Sequence, residues 1–275
     1  MTTLISWLAY SNNKQASIYI ASDSRFNWDD NKVWDRGRKI YCSSKYPDIL
    51  GYAGDVVFCS QIISQTITYI DACNIFEAPF SVERKVETIS SLIEKSLLLL
   101  PQEIIANPEF SFSIIYATRE SKYSFKAFKM SWDNKNKWSV EALPTDRPGL
   151  LYYGGTGGNK YKEMYTNLFS GSDIGGLSRA FFCALQMHVA SQADPATGGP
   201  LQLAAIFTNG VPKPHGYIES GKRFIYGVEV PEHENINTIR WVNERFENCD
   251  GNAMHIAIGE QRQPIPAKIL LGKCK

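Results

Sequence analysis

An α+β protein with two stacked sheets and a helix pair outside each is the architecture this sequence predicts, on three observations. Strand-like and helix-like segments come in blocks (strands, two helices, strands, two helices, strands), not in the βαβ alternation of a parallel Rossmann-type sheet. The helical blocks carry apolar residues at three- and four-residue steps, so each helix has one face to bury. No internal repeat or low-complexity linker divides the 275 residues.

Thr3 to Ala9 and Ala16 to Ser22 are β-prone runs joined by the polar Ser11-Asn12-Asn13-Lys14, a hairpin-type loop. A charged connection from Trp28 to Arg38 leads to Ile40–Ser43 and Ile49–Ala53, a second strand pair. Gly54-Asp55 opens a helix with Val56, Cys59, Ile63, Ile67 and Ile70 in register. Ser81 is an N-cap for a second helix carrying Val82, Val86, Ile89, Ile93 and Leu97, which stops before Pro101. Its closing LLLL run reads as a helix end buried on two sides. Ser111–Thr118, Lys122–Met130 and Trp138–Leu143 return to strand, with Asp133-Asn134-Lys135-Asn136 as a turn. Leu150–Tyr153 is a short strand ending in GGTGG. Two helices follow, one with Tyr161, Met164, Tyr165 and Leu168, the other with Leu177, Phe181, Ala184, Leu185 and Val189. Ala204–Thr208, the turn Asn209-Gly210 and Arg223–Val230 complete the strands. This divides the chain into a main domain over residues 1–230 and a polar, Pro-containing C-terminal extension, Pro231 to Lys275, packed on it.

Composition narrows the function classes. Apolar residues at 44% and charged residues at 21% suit a globular protein with a large core. A net charge of +1 supplies no field that would favour nucleic acid or an anionic membrane as partner. Cys42, Cys59, Cys73, Cys183, Cys249 and Cys274 lack any C-x-x-C or Cys/His clustering, so reduced, buried thiols are expected. The histidines (His188, His215, His233, His255) lack ligand spacing, and His188, beside an apolar helix face, reads as structural. Asp29, Asp30 and Asp35 lie in a solvated loop without a calcium-loop pattern. No metal or cofactor is expected. With no apolar run of membrane-spanning length and no signal-peptide pattern, the expected location is the cytoplasm.

The chain starts Met1-Thr2-Thr3, and an aminopeptidase removes an initiator methionine that precedes a small residue. A free Thr2 would hold a hydroxyl nucleophile beside its own α-amino group, whose pKa near ~8 suits a general base. Such a base must be neutral and fixed by a strand, and a nearby ammonium held by a carboxylate would tune it. Asp23 in IASDSR ends the second strand, and Lys39 in GRKIY begins the next, sixteen residues on.

TTL at the terminus, ASDSR, GRKI, the small-residue YAGD turn, GGTGG and DPATGG together resemble the proteasome β-subunit-like N-terminal nucleophile hydrolases and their simple bacterial homologues. The resemblance spans roughly residues 2 to 230. It implies a four-layer αββα sandwich of two antiparallel sheets flanked by helices. It implies Thr2 as nucleophile, Asp23 and Lys39 as the pair that tunes it, and the backbone N–H of Gly54 as oxyanion donor. Thr156 and Thr197 stand where the family has serines, with Asp194 between Thr197 and the Lys39 region; both threonines keep the hydroxyl. Phe26, Tyr41, Tyr52, Val56 and Ser60 fall where the family lines its first substrate pocket, which would then be shallow, apolar and free of acidic groups. The first hairpin is longer than usual, Asp23 lying twenty-one residues after Thr2, and only Met1 precedes the threonine, so no propeptide cleavage is expected. The implied activity is a threonine endopeptidase acting on peptides or unfolded proteins in a homo-oligomeric ring, with an ATP-dependent unfoldase as a possible partner.

Each piece alone has an ordinary reading. Met-Thr is a common start, ASDSR could be a strand-end turn, Lys39 a surface charge and Asp194-Pro195 a plain turn. GGTGG lacks the Walker spacing and its following G-K-[ST]. Two other functions remain open on the same residues: a small-molecule amidohydrolase, and an inactive ring subunit.

Overall fold

The computed structural model describes residues 2–28, 32–77, 80–260 and 262–263. Met1, Asp29, Asp30, Cys274 and the last part of the expected C-terminal extension lie outside the described residues.

Strands β1 (Leu4–Ser11) and β2 (Lys14–Ser22) form a hairpin whose turn residues, Asn12 and Asn13, both take positive φ (50° and 60°). Asparagine tolerates that left-handed conformation, and a two-residue turn of this kind matches the twist of paired strands. Two short strands, β3 (Phe26–Asn27) and β4 (Val33–Trp34), pair with each other. Then come β5 (Ile40–Cys42), β6 (Asp48–Gly54) and helices α1 (Val56–Ala72), α2 (Val82–Leu98) and α3 (Gln102–Ile105). Asp55 caps α1 by accepting the Phe58 N–H at 2.7 Å, and Ser81 caps α2 by accepting that of Arg84 at 3.3 Å. Strands β7 (Phe112–Ser121), β8 (Ser124–Asp133) and β9 (Lys137–Leu143) join β5 and β6 in a five-stranded antiparallel sheet ordered β5-β6-β7-β8-β9.

After β10 (Gly149–Gly154), helices α4 (Gly158–Leu168) and α5 (Ser178–Ser191) precede β11 (Gln202–Phe207), β12 (Lys213–Glu219), β13 (Lys222–Ile225) and β14 (Val228–Glu229). With β15 (Trp241–Asn243) and β16 (Asn248–Cys249) these complete a nine-stranded sheet that includes β1 and β2.

Strict alternation along the strands sorts the core. Leu4, Leu8, Ile18 and Ile20 face Ile49, Ala53, Ile115 and Ala117 between the two large sheets. Their neighbours Ile5, Trp7, Tyr19 and Ala21 turn the other way, against Tyr161, Phe181 and Leu185 of α4 and α5. Leu50, Tyr52, Ile114 and Tyr116 pack under Cys59, Ile63, Ile89 and Ile93 of α1 and α2.

The expected four-layer αββα sandwich of two antiparallel sheets is corrected. The described residues form a sheet-rich molecule of three sheets with five helices, one of them a single turn. β9 is mostly exposed, so no helix layer covers that edge. The stretch from Trp28 to Arg38, read as a loop, contributes β4, and Phe26–Asn27 just before it pairs there as β3. The tail after Pro231, read as an extension, contributes β15, which runs parallel to β12, and β16. These last strands have a small core of their own around Ile218, Ile236, Trp241 and Cys249. Strands of two or three residues are too short to show a period. β12 was hidden by Pro214, which normally argues against a paired strand, yet Pro214 stands opposite Ala204.

Two smaller expectations also change. Leu97 is buried, but Leu98 and Leu99 are 63% and 85% exposed, so the LLLL run is not buried on two sides. Among the described cysteines all are free, but Cys73 is exposed.

His215 on β12 is buried between Tyr19 and Phe207. Burial, helped by the charge of Arg240, pushes its pKa down to about 3. An unfolded histidine titrates near ~6.5, so between those values the unfolded chain binds more protons. The contribution is complete above the unfolded pKa and falls as pH drops through this window, with a limiting slope of about 1.4 kcal/mol per pH unit. His215→Phe removes the titration. Its melting temperature should gain on that of the native protein steadily from about pH 6.5 to about pH 4. Parallel pH profiles for the two proteins would contradict a neutral, buried His215.

Candidate active site

Leu4, the first residue of β1, pairs with Ser22 on one side and Gly154 on the other. Thr3 and Thr2 therefore continue between the residues that follow those strands, Asp23 and Gly155. The Thr3 N–H donates to Asp23 Oδ1 at 3.0 Å, and the Thr3 carbonyl accepts from the Ser22 hydroxyl at 3.1 Å. The Thr2 carbonyl accepts the Gly157 N–H at 3.3 Å. Gly155 has φ +82°, and a Cβ there would lie 1.9 Å from the Thr2 oxygen, so only glycine lets this loop close on the terminus. Thr2 and Thr3 are both buried.

Asp23 and Lys39 are fully buried and paired, Nζ to Oδ1 at 2.9 Å. Three backbone N–H groups complete the carboxylate: Thr3 on Oδ1, and Arg25 and Gly198 on Oδ2, each at 3.0 Å. Burial pushes the Lys39 pKa down, against the pull of Asp23. Gln202 fixes the surrounding backbone. Its Oε1 accepts the Lys39 N–H at 3.0 Å, and its Nε2 donates to the Gly37 carbonyl at 2.7 Å and the Ser24 hydroxyl at 2.9 Å. Arg25 grips Asp35 with two bonds of 2.7 and 2.8 Å, so Asp35 is an ion-pair partner and not the solvated loop residue expected.

A second cluster stands behind the terminus. Asp194 Oδ2 accepts from the hydroxyls of Thr156 and Thr197, both at 2.8 Å. Burial raises the Asp194 pKa, but those hydroxyls and the Ala196 N–H outweigh it and hold the carboxyl below its usual range. Thr197 Oγ1 lies 2.9 Å from Thr3 Oγ1, which lies 3.1 Å from His188 Nε2.

Gly54, Gly155 and exposed Thr156 border a cleft of about 1070 Å³ that also touches Phe26, Trp28, Val56, Phe110 and Trp132. Of the expected pocket residues, Phe26 and Val56 line it. Tyr41, Tyr52 and Ser60 do not: Tyr41 and Tyr52 belong to the core under α1, and the Ser60 hydroxyl bonds the Val57 carbonyl within the helix. Strand alternation is the reason, since Tyr52 turns toward α1 when Ala53 turns toward the other sheet. The cleft is also not free of acid: Asp55, Glu103, Glu109 and Asp133 border it, beside Lys129. Among the described residues no three His, Cys, Asp or Glu side chains converge as metal ligands, and no helix is long and apolar enough to cross a membrane.

No protein-family model and no curated protein sequence matches this chain. Solved structures do. A Gly-1 mutant of Anbu from Hyphomicrobium sp. strain MC1 aligns over 78% of this chain and 87% of its own, with a TM-score of 0.54 and 12% identity. Anbu (ancestral beta-subunit) from Yersinia bercovieri aligns over 78% and 86%, with a TM-score of 0.55 and 11% identity. The chain has an Anbu-like fold. Identity this low carries the fold and not the chemistry. Membership in the proteasome β-subunit-like hydrolases is corrected accordingly, because the motifs that suggest it do not add up to a match with any family, and the relationship stands as a distant likeness of fold.

Within this Anbu-like frame, Asp23, Lys39, Asp194 and Thr197 gather around Thr2 and Thr3 at the start of β1, and of the expected catalytic residues Gly54 and Thr156 border the cleft. The sequence reading missed Thr3, His188, Gln202 and the backbone of Gly157 and Gly198. Thr3 looked like plain strand, but its side chain is buried and bonded at both ends of its hydroxyl. The visible signal for Gln202 was a lone amide in the apolar run LQLAAIF.

Lys39→Ala would leave Asp23 charged and buried without its cation. Breaking such a pair from one side costs about 3–5 kcal/mol. Denaturant titration should show a loss of that size, which makes Lys39→Ala a variant of both stability and activity. A loss below about 1 kcal/mol would mean that water reaches Asp23.

Proposed function

We propose that the protein is an N-terminal threonine amidohydrolase that cleaves peptide bonds, with Thr2 as both nucleophile and base once Met1 is removed. The observation that carries this reading is the junction at the start of β1. There Thr2 and Thr3 run between a buried Asp23–Lys39 pair and the Asp194 hydroxyl cluster, and Gly155, which packs on the Thr2 carbonyl, borders a cleft large enough for several residues of peptide.

In the proposed reaction the Thr2 hydroxyl adds to the scissile carbonyl while the Thr2 amine takes its proton. The backbone of Gly54, at the head of α1, faces the developing oxyanion, where the helix N-terminus favours negative charge. The amine returns the proton to the departing nitrogen, leaving a threonine ester that water then hydrolyses. Lys39, held by Asp23, keeps positive charge near the terminus and favours the neutral amine. Thr156 and Thr197, whose protons go to Asp194, are left as hydrogen-bond acceptors on this side of the terminus.

The test is direct. Mass spectrometry should find a mature chain beginning at Thr2. Thr2→Ala should retain its melting temperature and lose at least ~100-fold in peptide turnover, and Thr2→Ser should keep part of the rate. A tag fused ahead of Met1 should abolish activity while a C-terminal tag does not, because an amide nitrogen cannot serve as the base. Full turnover by Thr2→Ala would end the proposal.

We also propose a homo-oligomeric ring, which would enclose the cleft and limit access to extended chains. Light scattering should report a multiple of the chain mass. A monomer at micromolar concentration would favour a small-molecule amide as substrate instead.

A further inference from the structure

The hydroxyl cluster behind the terminus has a direction, which follows from counting protons. Asp194 is held ionised, so its Oδ2 accepts only, and Thr156 and Thr197 each commit their single hydroxyl proton to it at 2.8 Å. Thr197 Oγ1 can then meet Thr3 Oγ1, at 2.9 Å, only as an acceptor, so Thr3 is the donor. With its proton committed to Thr197, Thr3 Oγ1 in turn can only accept from His188 Nε2, at 3.1 Å. The reverse polarity would press a lone pair of Thr197 against the Asp194 carboxylate. His188 must therefore carry a proton on Nε2.

The other ring nitrogen, Nδ1, is buried and has no partner, and the side chain as a whole is 1% exposed. Burial lowers the His188 pKa, which keeps the ring neutral and leaves Nδ1 bare. An unpartnered buried nitrogen costs stability. Gly157 covers the junction. A Cβ at that glycine would fall 2.0 Å from Thr3 Oγ1 and 2.7 Å from both His188 Nε2 and Thr197 Oγ1. The same glycine donates its N–H to the Thr2 carbonyl, so this chain of bonds and the terminus are held by one residue.

We propose that His188 is a positioning residue: its Nε2–H anchors a one-way series of hydroxyl bonds through Thr3 and Thr197 to Asp194, which holds the Thr2 terminus in its working orientation. The role of this series in turnover rests on the threonine reading above, but its polarity does not. Without the His188 donor, Thr3 Oγ1 is free to rotate, and Thr197 can divide its proton between Asp194 and Thr3.

Nitrogen-15 spectra of histidine-labelled protein test the polarity. The expected result is a neutral His188 with its proton on Nε2 and a bare Nδ1. A proton on Nδ1 would overturn the proposal whatever the enzyme does. For the positioning role, His188→Gln places an amide donor where Nε2 stands, His188→Asn places it nearer Nδ1, and His188→Leu removes it. Each is compared at matched melting temperature. His188→Leu and His188→Asn should lower kcat about tenfold with KM within about twofold, and His188→Gln should recover most of the rate. Equal losses for His188→Gln and His188→Leu would reduce His188 to core packing. If Thr2→Ala still turns over peptides, or the native protein cleaves none, the threonine reading fails while the spectra still decide the direction of the bonds.

Discussion

Asp23 carries its charge where no water reaches it, and much of the site follows from what that requires. Moving a lone carboxylate into such surroundings costs several kcal/mol even after relaxation, so every lone pair needs a partner. Here the partners come from four separate stretches: the N–H of Thr3 at the head of β1, the N–H of Arg25 just past β2, the ammonium of Lys39 before β5, and the N–H of Gly198 before β11. A single side chain thus ties both large sheets and the chain terminus to one point. Gln202 repeats the tie one layer out, linking Lys39, Gly37 and Ser24 through its amide. The backbone of Thr3, next to Thr2, is fixed as a consequence of satisfying Asp23. The geometry that a nucleophile would need is the geometry that makes a buried charge tolerable.

The Asp194 cluster meets the same demand with hydroxyls. It lies at the loop between α5 and β11, where a carboxylate 7% exposed receives Thr156 from one loop and Thr197 from its own turn. Two anions near one terminus would repel if both were bare. Lys39 neutralises the first, and hydroxyl dipoles stabilise the second without adding charge. A proton-accepting amine placed between them would feel one ammonium and an ordered set of lone pairs, an arrangement that favours its neutral form.

Much of this was legible in the sequence because polar residues at strand ends are informative. ASDSR and GGTGG put a charged or small residue where a regular strand stops, GRKI and DPATGG just before one starts, and those four places meet in space. The long helices and strands were legible for the usual reason, that periodicity over ten or more residues is hard to mistake. What escaped had no period or no chemical mark. β3, β4, β15 and β16 are two or three residues long, and their pairing is decided by tertiary contact. β12 carries a proline that argues against it. Thr3 and His188 look like strand and helix filler, and only the fold puts one hundred and eighty-five residues of separation within 3.1 Å.

Tyr41 and Tyr52, which the family resemblance places at a substrate pocket, lie in the core beneath α1, with Leu50 and Tyr52 on the same inward face of β6. The cleft is built instead from the first turn of α1, the stretch around Glu103–Ser113 and the end of β8. Two of its four acids are already engaged, Asp55 in capping α1 and Asp133 in accepting the N–H groups of Lys135 and Asn136. Lys129 leans toward Glu141 at 3.8 Å. The exposed apolar lining of the cleft is Trp28, Val57 and Ile104, whereas Phe110, Phe112 and Trp132 are almost wholly buried in the core beneath α1 and α2. A likeness in the residues proposed for the reaction says little about which substrate would be selected.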